Sequence, residues 1–495
     1  MDYLRREILD IEVISPDEFP KPEEANFPIS AIALWDSYTN HYYSLVLNGN
    51  NGNQNTQKVL QTADWDIYYF GNETNLMIQF VKLIQILNPD TLEGFFSRTF
   101  DFLYIYNRLK ILGLNPSTLS PLGYASYKNT QFQISGIHIL DIVDADIKFK
   151  KRTSYSLKNI AIEENLPVKK IDVNLKNIHL APDKLAEYNK TDVEVTVELD
   201  KKMQHIKRYV SRWQLAGLED IDKAMANSIV VDTVMLREAK KRGILLPSKP
   251  ERDESVKTKD ADITGGMVFT PIIGIHENVM VFDMSRFYPS MIVSLRLSPE
   301  NISDDGTIIA DGTKYLDNPD AILTAIVHQF TVERDRIQTI LKNVNPDSLE
   351  YQKLIDEDDN AKFLLNAVFG VTGHKGFRLY DPRITNSITM SCQKIIIYAK
   401  EYIESKGHTI IYGDTDSVFV KTDNNKLEDI INLGLSLTND LNSMFPVWMK
   451  KEFNVEATSL KIAFDKIFSR LLFISSDKGI SVKKRYVGRL IWTMK

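Results

Sequence analysis

The stretch Thr409–Val420, TIIYGDTDSVFV, sets the hexapeptide Tyr412-Gly413-Asp414-Thr415-Asp416-Ser417 between two apolar, β-branched runs. Thr409-Ile410-Ile411 and Val418-Phe419-Val420 read as the strands of a hairpin with two carboxylates at its tip. Two Asp residues two positions apart on a tight turn repel each other unless a cation lies between them. Mg²⁺, which takes one or two carboxylates together with substrate phosphates, meets that need. Alone, an Asp-Thr-Asp turn is usually plain solvated surface, so its meaning depends on partners elsewhere in the chain.

The chain has 495 residues, a length that predicts roughly three domains. Hydrophobic residues make up 43% and charged residues 25%, an ordinary globular balance. No apolar run approaches the ~20 residues of a membrane span, and the N-terminus has no signal core, so an intracellular location is expected (cytoplasm, nucleoid or a virus-infected cell). The single Cys392 rules out an internal disulfide and a Cys-based zinc site. A net charge of −6 argues only weakly against a nucleic-acid partner, because a local basic stripe matters more than the total.

Residues 1–200 alternate strand-like runs (Ile8–Ile14, Ile29–Leu34, Tyr42–Leu47, Trp65–Phe70) with helical ones (Glu73–Leu87, Phe100–Leu112, Leu185–Arg208), an α/β pattern. Asn48–Gln57 reads as a loop. A helical stretch over 210–250 leads to the polar segment Ser248–Asp262, which marks a boundary. Beyond it come Gly265-Gly266, a strand at Val279–Asp283, helices near 320–342 and 348–373, and strands near 409–421, 461–475 and 482–493.

The strand Val279-Met280-Val281-Phe282 ends on Asp283 and turns through Met284-Ser285-Arg286-Phe287-Tyr288-Pro289-Ser290 into a helix, whose first N–H groups can hold a triphosphate. An acid beside a phosphate-binding turn is what a two-metal displacement needs. Lys362, Asn366 and Gly370 recur at i, i+4 and i+8, on one helix face. The Lys brings charge for phosphates, and the Gly allows a flat base pair to approach the backbone.

In order and spacing these pieces resemble the family B DNA polymerases. DMSRFYPS at 283–290 is similar to the family's motif A, KFLLNAVFG at 362–370 to motif B, and YGDTDS at 412–417 to motif C. Lys483-Lys484-Arg485-Tyr486 is similar to the basic KKRY motif that contacts the primer duplex. Gly265-Gly266 stands where the family carries YxGG, with Ile263 in the Tyr position. The resemblance implies that Asp283 and Asp416 hold two Mg²⁺ ions, Mn²⁺ being able to substitute, with Asp414 assisting or shaping the turn. It implies that Tyr288 packs under the sugar and excludes a 2′-hydroxyl, and that Lys362, Asn366 and Arg334 meet the triphosphate alongside the turn Met284–Phe287. Gly265, Gly266, Gly370 and the KKRY residues would meet DNA. The chain departs from the pattern at several places. Gln338 replaces a Lys four residues after Arg334, with Arg336 available to compensate but on another helix face. Ala367 and Phe369 replace Ser and Tyr, and Arg286-Phe287 replaces Ser-Leu.

In the first half, Asp10 and Glu12 share one face of a strand, Asp101 opens a helical run, and Asp192 lies one turn beyond Tyr188 on a helix. Four acids in three segments suit phosphodiester hydrolysis by a metal-activated water. They resemble the DEDDy 3′–5′ exonuclease domain of the same family, in which Asp10, Glu12, Asp101 and Asp192 would hold two metals and Tyr188 would orient the water. Phe96 and Thr99 stand where the family often has Asn residues for single-stranded DNA.

Singly, each motif is weak; together, six in the right order cover residues 10 to 486. The implied fold class is multidomain α/β and α+β. A ribonuclease H-like exonuclease spans 1–205, a helical linker 206–262, a palm with an antiparallel sheet 263–318 and 376–495, and fingers built as a helical hairpin 319–375. The implied activity is templated addition of deoxynucleotides with proofreading, with primer–template DNA, dNTPs and a sliding clamp as partners. The short stretch between motif A and the finger helices points to a nucleic-acid primer rather than a protein one. The chain reads as lacking the family's thumb, which favours a split enzyme, with the thumb on a second polypeptide, or a truncated one, over a minimal viral enzyme. The competing reading is an exonuclease-only or non-catalytic DNA-binding subunit.

Overall fold

The structure, a computed structural model, describes residues 4–14, 19–48, 58–128, 131–168, 175–250, 265–475 and 481–494. They form two compact units, Met1–Ala226 and Asn227–Lys495. Most of Asn48–Gln57 and Ser248–Asp262, expected as a loop and a boundary, lies outside the described residues.

The first unit runs β1 (Arg6–Val13), β2 (Ile29–Asp36), β3 (His41–Leu47), β4 (Lys58–Gln61), β5 (Trp65–Phe70), α1 (Glu73–Leu87), β6 (Thr91–Gly94) and α2 (Asp101–Ile111). It continues with β7 (Ala125–Lys128), β8 (Gln131–Ile134), β9 (His138–Asp141), α3 (Ile142–Phe149), α4 (Leu157–Glu163), α5 (Pro182–Met203) and α6 (His205–Ala216). Its mixed seven-stranded sheet has the order β4-β5-β3-β2-β1-β6-β9. Strand alternation splits β1 between two cores. Leu9 and Ile11 join Phe80, Ile84, Phe102 and Ile105 of α1 and α2, while Ile8 joins Val193, Val195 and Val197 of α5. Asp10 and Glu12 therefore fall on the α5 side, opposite Ala33 and Ala31 of β2, whose small side chains leave room for them.

One helix was expected over Leu185–Arg208. Instead the chain breaks between α5 and α6 at Gln204, whose backbone is left-handed (φ 54). The helix cannot continue through that conformation, and Ile206, Tyr209 and Val210 of α6 turn into the same core as α5.

The second unit runs α7 (Asn227–Lys241), β10 (Gly274–Met284), α8 (Phe287–Ser294), β11 (Ile308–Ala310), β12 (Thr313–Tyr315), α9 (Ile322–Leu341), α10 (Leu349–Thr372) and α11 (Pro382–Ser405). Then come β13 (Thr409–Asp414), β14 (Ser417–Lys421), α12 (Leu427–Phe453), β15 (Ile462–Ser475) and β16 (Ser481–Thr493). Its five-stranded sheet, β13-β14-β10-β15-β16, is antiparallel at every pairing. The helices α9 and α10 make the expected hairpin. The segment 206–262, expected as one linker, is divided: α6 belongs to the first unit and α7 to the second. The reason is apolar burial, since Val231, Val234 and Met235 of α7 line a small cavity with Ile326, Val327, Leu364 and Leu365 of α9 and α10. Helices α11 and α12, which pack on the sheet, lie outside the elements that the sequence pattern predicts.

Candidate active sites

In the second unit, β10 and β14 pair so that Asp283 faces Ser417, and Asp414 faces the same Ser417 across the β13–β14 hairpin. Asp416 is thereby set beside Asp283, and the Met284 N–H donates to the Asp416 carbonyl at 2.8 Å. The turn is tight enough to push Thr415 to φ 53, a costly conformation for a β-branched residue. It is held by the Thr415 N–H on the Met267 carbonyl (2.8 Å) and the Thr415 hydroxyl on Asp414 Oδ1 (3.0 Å). Gly266 makes room for it, since a Cβ there would lie 2.9 Å from Thr415 Cγ2. Gly265 accepts from Gln393 Nε2 at 2.7 Å. Ile263 lies outside the described residues.

The two Asp residues of the turn are differently engaged. Lys484 Nζ lies 2.9 Å from Asp414 Oδ1, and the Tyr412 hydroxyl donates to Asp414 Oδ2 at 3.3 Å. Burial pushes the Asp283 carboxyl up to about 7, with Asp416 and Asp465 adding to the rise. Burial also raises Asp416, with Asp414 contributing. Two half-buried carboxylates, each with raised proton affinity, are an oxygen donor set suited to a hard divalent cation. Neither Lys484 nor Asp465 is placed at this site by the sequence pattern, in which Lys484 belongs to the duplex-contacting motif. Within the same motif, Lys483 Nζ donates to the Val268 carbonyl at 3.2 Å. Tyr486 packs edge-on to Phe419 at 5.4 Å, and Arg485 is exposed.

Around the turn after Asp283, the expected set of free amides is smaller than the sequence suggested. The Met284 N–H is taken by Asp416 and the Ser285 N–H by the Lys461 carbonyl at 2.9 Å, because the sheet pairing continues one residue past the acid. Phe287 is buried. Tyr288 stacks on Phe369 with ring centroids 3.8 Å apart, so motif A and motif B meet at these two rings. Lys362, Asn366 and Gly370 all lie exposed on one face of α10, and a Cβ on Gly370 would meet open space. Arg334 is engaged by Asp358 of α10, at 3.0 and 3.3 Å.

In the first unit, one carboxylate oxygen from each of Asp10, Glu12 and Asp192 lies within 4.8 Å of the others. Three carboxylates and no softer ligand favour Mg²⁺, Mn²⁺ or Ca²⁺. Asp101 stands outside this trio of oxygens: its Oδ1 accepts the Ile11 N–H at 3.0 Å. That amide is within its reach because β6 ends at Gly94, having paired with β1 only through Ile8. Burial raises the Asp101 carboxyl. Tyr188 is buried among Leu185, Ala186 and Tyr69. Asn189, unnoticed in the sequence, donates from Nδ2 to Asp10 Oδ2 at 2.7 Å and is fully buried. Phe96 is exposed with a left-handed backbone (φ 60), and the Thr99 hydroxyl donates to its carbonyl.

Two family profiles match the chain: DNA polymerase family B over residues 223–495, and the exonuclease domain of DNA polymerase family B over residues 4–160. The chain belongs to DNA polymerase family B. Among its relatives, DNA polymerase 1 of Saccharolobus solfataricus is 29% identical over 97% of this chain and 56% of that protein. The DNA polymerase of Archaeoglobus fulgidus is 26% identical over 86% of this chain and 51% of its own length. The DNA-directed DNA polymerase of Escherichia phage RB69 is 26% identical over 84% and 57%. The family B DNA polymerase structure from Pyrobaculum calidifontis shares the fold, with a TM-score of 0.70 at 22% identity, covering 98% of this chain and 59% of that one. The chain thus spans little more than half the length of these relatives. Among the described residues, no helix is long and apolar enough to cross a membrane.

Proposed function

We propose that this chain is a DNA-templated DNA polymerase with 3′–5′ proofreading. The exonuclease is assigned to 1–205, palm to 263–318 and 376–495, and fingers to 319–375. The observation that carries the polymerase reading is the β10–β14 register, which pairs Asp283 with Ser417 and so brings it next to Asp416 of the turn, where burial raises both carboxyls.

Asp283 and Asp416 would hold Mg²⁺ in one site, and Asp10, Glu12 and Asp192, with Asp101 behind them, in the other. The bound ions would supply charge stabilisation for the attacking and leaving oxygens of an in-line displacement. The residues of the chain do the rest. Lys362 and Asn366, on the open face of α10, bind the triphosphate of a dNTP. Tyr288, braced by Phe369, fills the space of a ribose 2′-hydroxyl. Asp414, paired with Lys484, keeps the turn in shape. Asn189 fixes the Asp10 carboxylate, and Tyr188 lies one turn before Asp192 to orient a water. Primer–template DNA and dNTPs are the substrates, and a sliding clamp is a candidate partner.

The test is extension of a labelled DNA primer on a template with Mg²⁺ and four dNTPs, with and without an added thumb-bearing polypeptide. Template-directed extension supports the reading. Degradation without extension under both conditions would falsify it and leave an exonuclease only.

A further inference from the structure

The end of α8 remote from the Asp283 turn opens onto a cleft of about 580 Å³. The 8 residues of α8, at about 1.5 Å each, set its two ends roughly 10 Å apart, so this space is distinct from the Asp283 site. The cleft is walled by the end of α8, the first two turns of α9, the residue after α7 and the segment 457–459. Its floor is tied together: the buried Ser294 hydroxyl lies 3.0 Å from the Thr458 hydroxyl and accepts the Ser459 N–H at 3.2 Å.

Thr324 gives the cleft a buried donor. It is 1% exposed, it lines the cleft, and its hydroxyl has no hydrogen-bond partner among the described residues. A Thr inside a helix commonly turns its hydroxyl to the carbonyl four residues back, as Thr331 does to Val327 and Thr389 to Thr385. Thr324 is the third residue of α9, so the residue four back, Asp320, lies outside the helix and that bond is not made. A buried hydroxyl without a partner is destabilising, and a ligand oxygen in the cleft would relieve it.

The charged groups point to the kind of ligand. The guanidiniums of Arg242 and Arg296 and the imidazole of His328 line the cleft against one carboxylate, Asp320. Arg242 is exposed and makes a single long bond, from Nη2 to Gln329 Oε1 at 3.4 Å. Arg296 donates from Nε to Asp317 at 2.8 Å and from Nη1 to the Val293 carbonyl at 2.7 Å, which leaves Nη2. A guanidinium suits phosphate oxygens in charge and in geometry. The start of α9 adds the positive end of a helix dipole, partly used by Glu300 and Ser298, which accept the Ile322 and Leu323 N–H groups.

We propose that this cleft binds a phosphate group, free or as the monoester of a small molecule, with Arg242 and Arg296 pairing its charge and the Thr324 hydroxyl donating to one of its oxygens. The bound group bridges α9 to the end of α8. The site uses neither acid cluster and does not rest on the polymerase reading.

The test is titration calorimetry of the whole chain in metal-free buffer, so that the acid clusters cannot hold phosphate through a cation. The titrants are ribose 5-phosphate, inorganic phosphate and ribose. One phosphate-dependent site per chain is expected, with ribose silent. Tighter binding of ribose 5-phosphate assigns the site to a monoester, and equal or tighter binding of inorganic phosphate assigns it to the free anion. Arg242→Gln should weaken binding about tenfold, the loss of one charge-assisted bond. Thr324→Val should weaken it by a similar factor and, without ligand, raise the melting temperature, because the unpartnered hydroxyl is gone. A Thr with a purely structural bond would do the reverse on melting and leave binding intact. No binding of either phosphate titrant overturns the proposal, as does binding that both substitutions leave unchanged. If Thr324→Val melts early, Arg242→Gln decides the matter through its affinity.

Discussion

Tyr288 and Phe369 show how one residue's role depends on its neighbour. Their rings stack at 3.8 Å with an interplanar angle of 17°, which fixes the Tyr288 side chain against the face of α10 that also carries Lys362 and Asn366. Tyr288→Ala should raise ribonucleotide incorporation by at least about tenfold, on the scale of one well-packed steric or hydrophobic contact; the measure is the ratio of kcat/KM for a dNTP and its ribonucleotide. Equal selectivity in the variant would remove the steric assignment. Glu7 carries a second residue-scale prediction. It is fully buried on β1, and burial, reinforced by Asp36 and opposed by Arg5, holds its carboxyl well above the usual range. An acid whose folded pKa exceeds its unfolded value keeps a proton that the unfolded chain releases, so stability falls as pH rises from about 4.5 through the folded pKa. Glu7→Gln should flatten that fall and raise the melting temperature more at pH 8 than at pH 5. An equal shift at both pH values would show that Glu7 does not titrate in this way. Neither effect is visible in sequence, where Glu7 is one charged residue of an alternating strand.

Among elements, the helices divide into those written in local pattern and those set by packing. α1 begins and ends where its apolar period and its Asn72 cap place it. The break after α5 has no such signal, because Gln204 is an ordinary helix former that the core forces into the left-handed region. Gln204→Gly should stabilise the first unit by about 1 kcal/mol through relief of that conformation, read by chemical denaturation, while Gln204→Val should cost a similar amount. A neutral or destabilising Gly would show that the bend is not strained. α12 poses the reverse case. Gly434 is a poor helix former, but a Cβ there would lie 2.5 Å from the Phe464 ring of β15. Gly434→Ala should therefore destabilise by about 1–3 kcal/mol despite its better helix propensity. A gain in stability would mean that Phe464 yields freely.

At the scale of the whole molecule, the two acid clusters belong to separate compact units, and the proposed chemistries should separate accordingly. Asp283→Ala should abolish primer extension and keep 3′–5′ degradation, while Asp10→Ala should do the opposite, both read on one labelled primer–template. Loss of both activities from either substitution would contradict two independent sites. The sequence by itself determined the order of the motifs, the positions of strands β1–β3, β5, β10 and β13–β16 but not of the shorter ones between them, the bounds of the α9–α10 hairpin, and the pairing of Asp10 with Glu12 on one strand face. These follow from local periodicity and from chemistry carried within a few consecutive residues. Only the tertiary structure decided that α7 leaves the expected linker for the second unit, that Lys484 pairs with Asp414, that Asn189 holds Asp10, and that Arg286 stands at Gln338. Each of those joins residues tens to hundreds of positions apart or depends on which apolar face finds a partner. No local pattern encodes such a meeting, because it exists only once strand register and helix packing have been set.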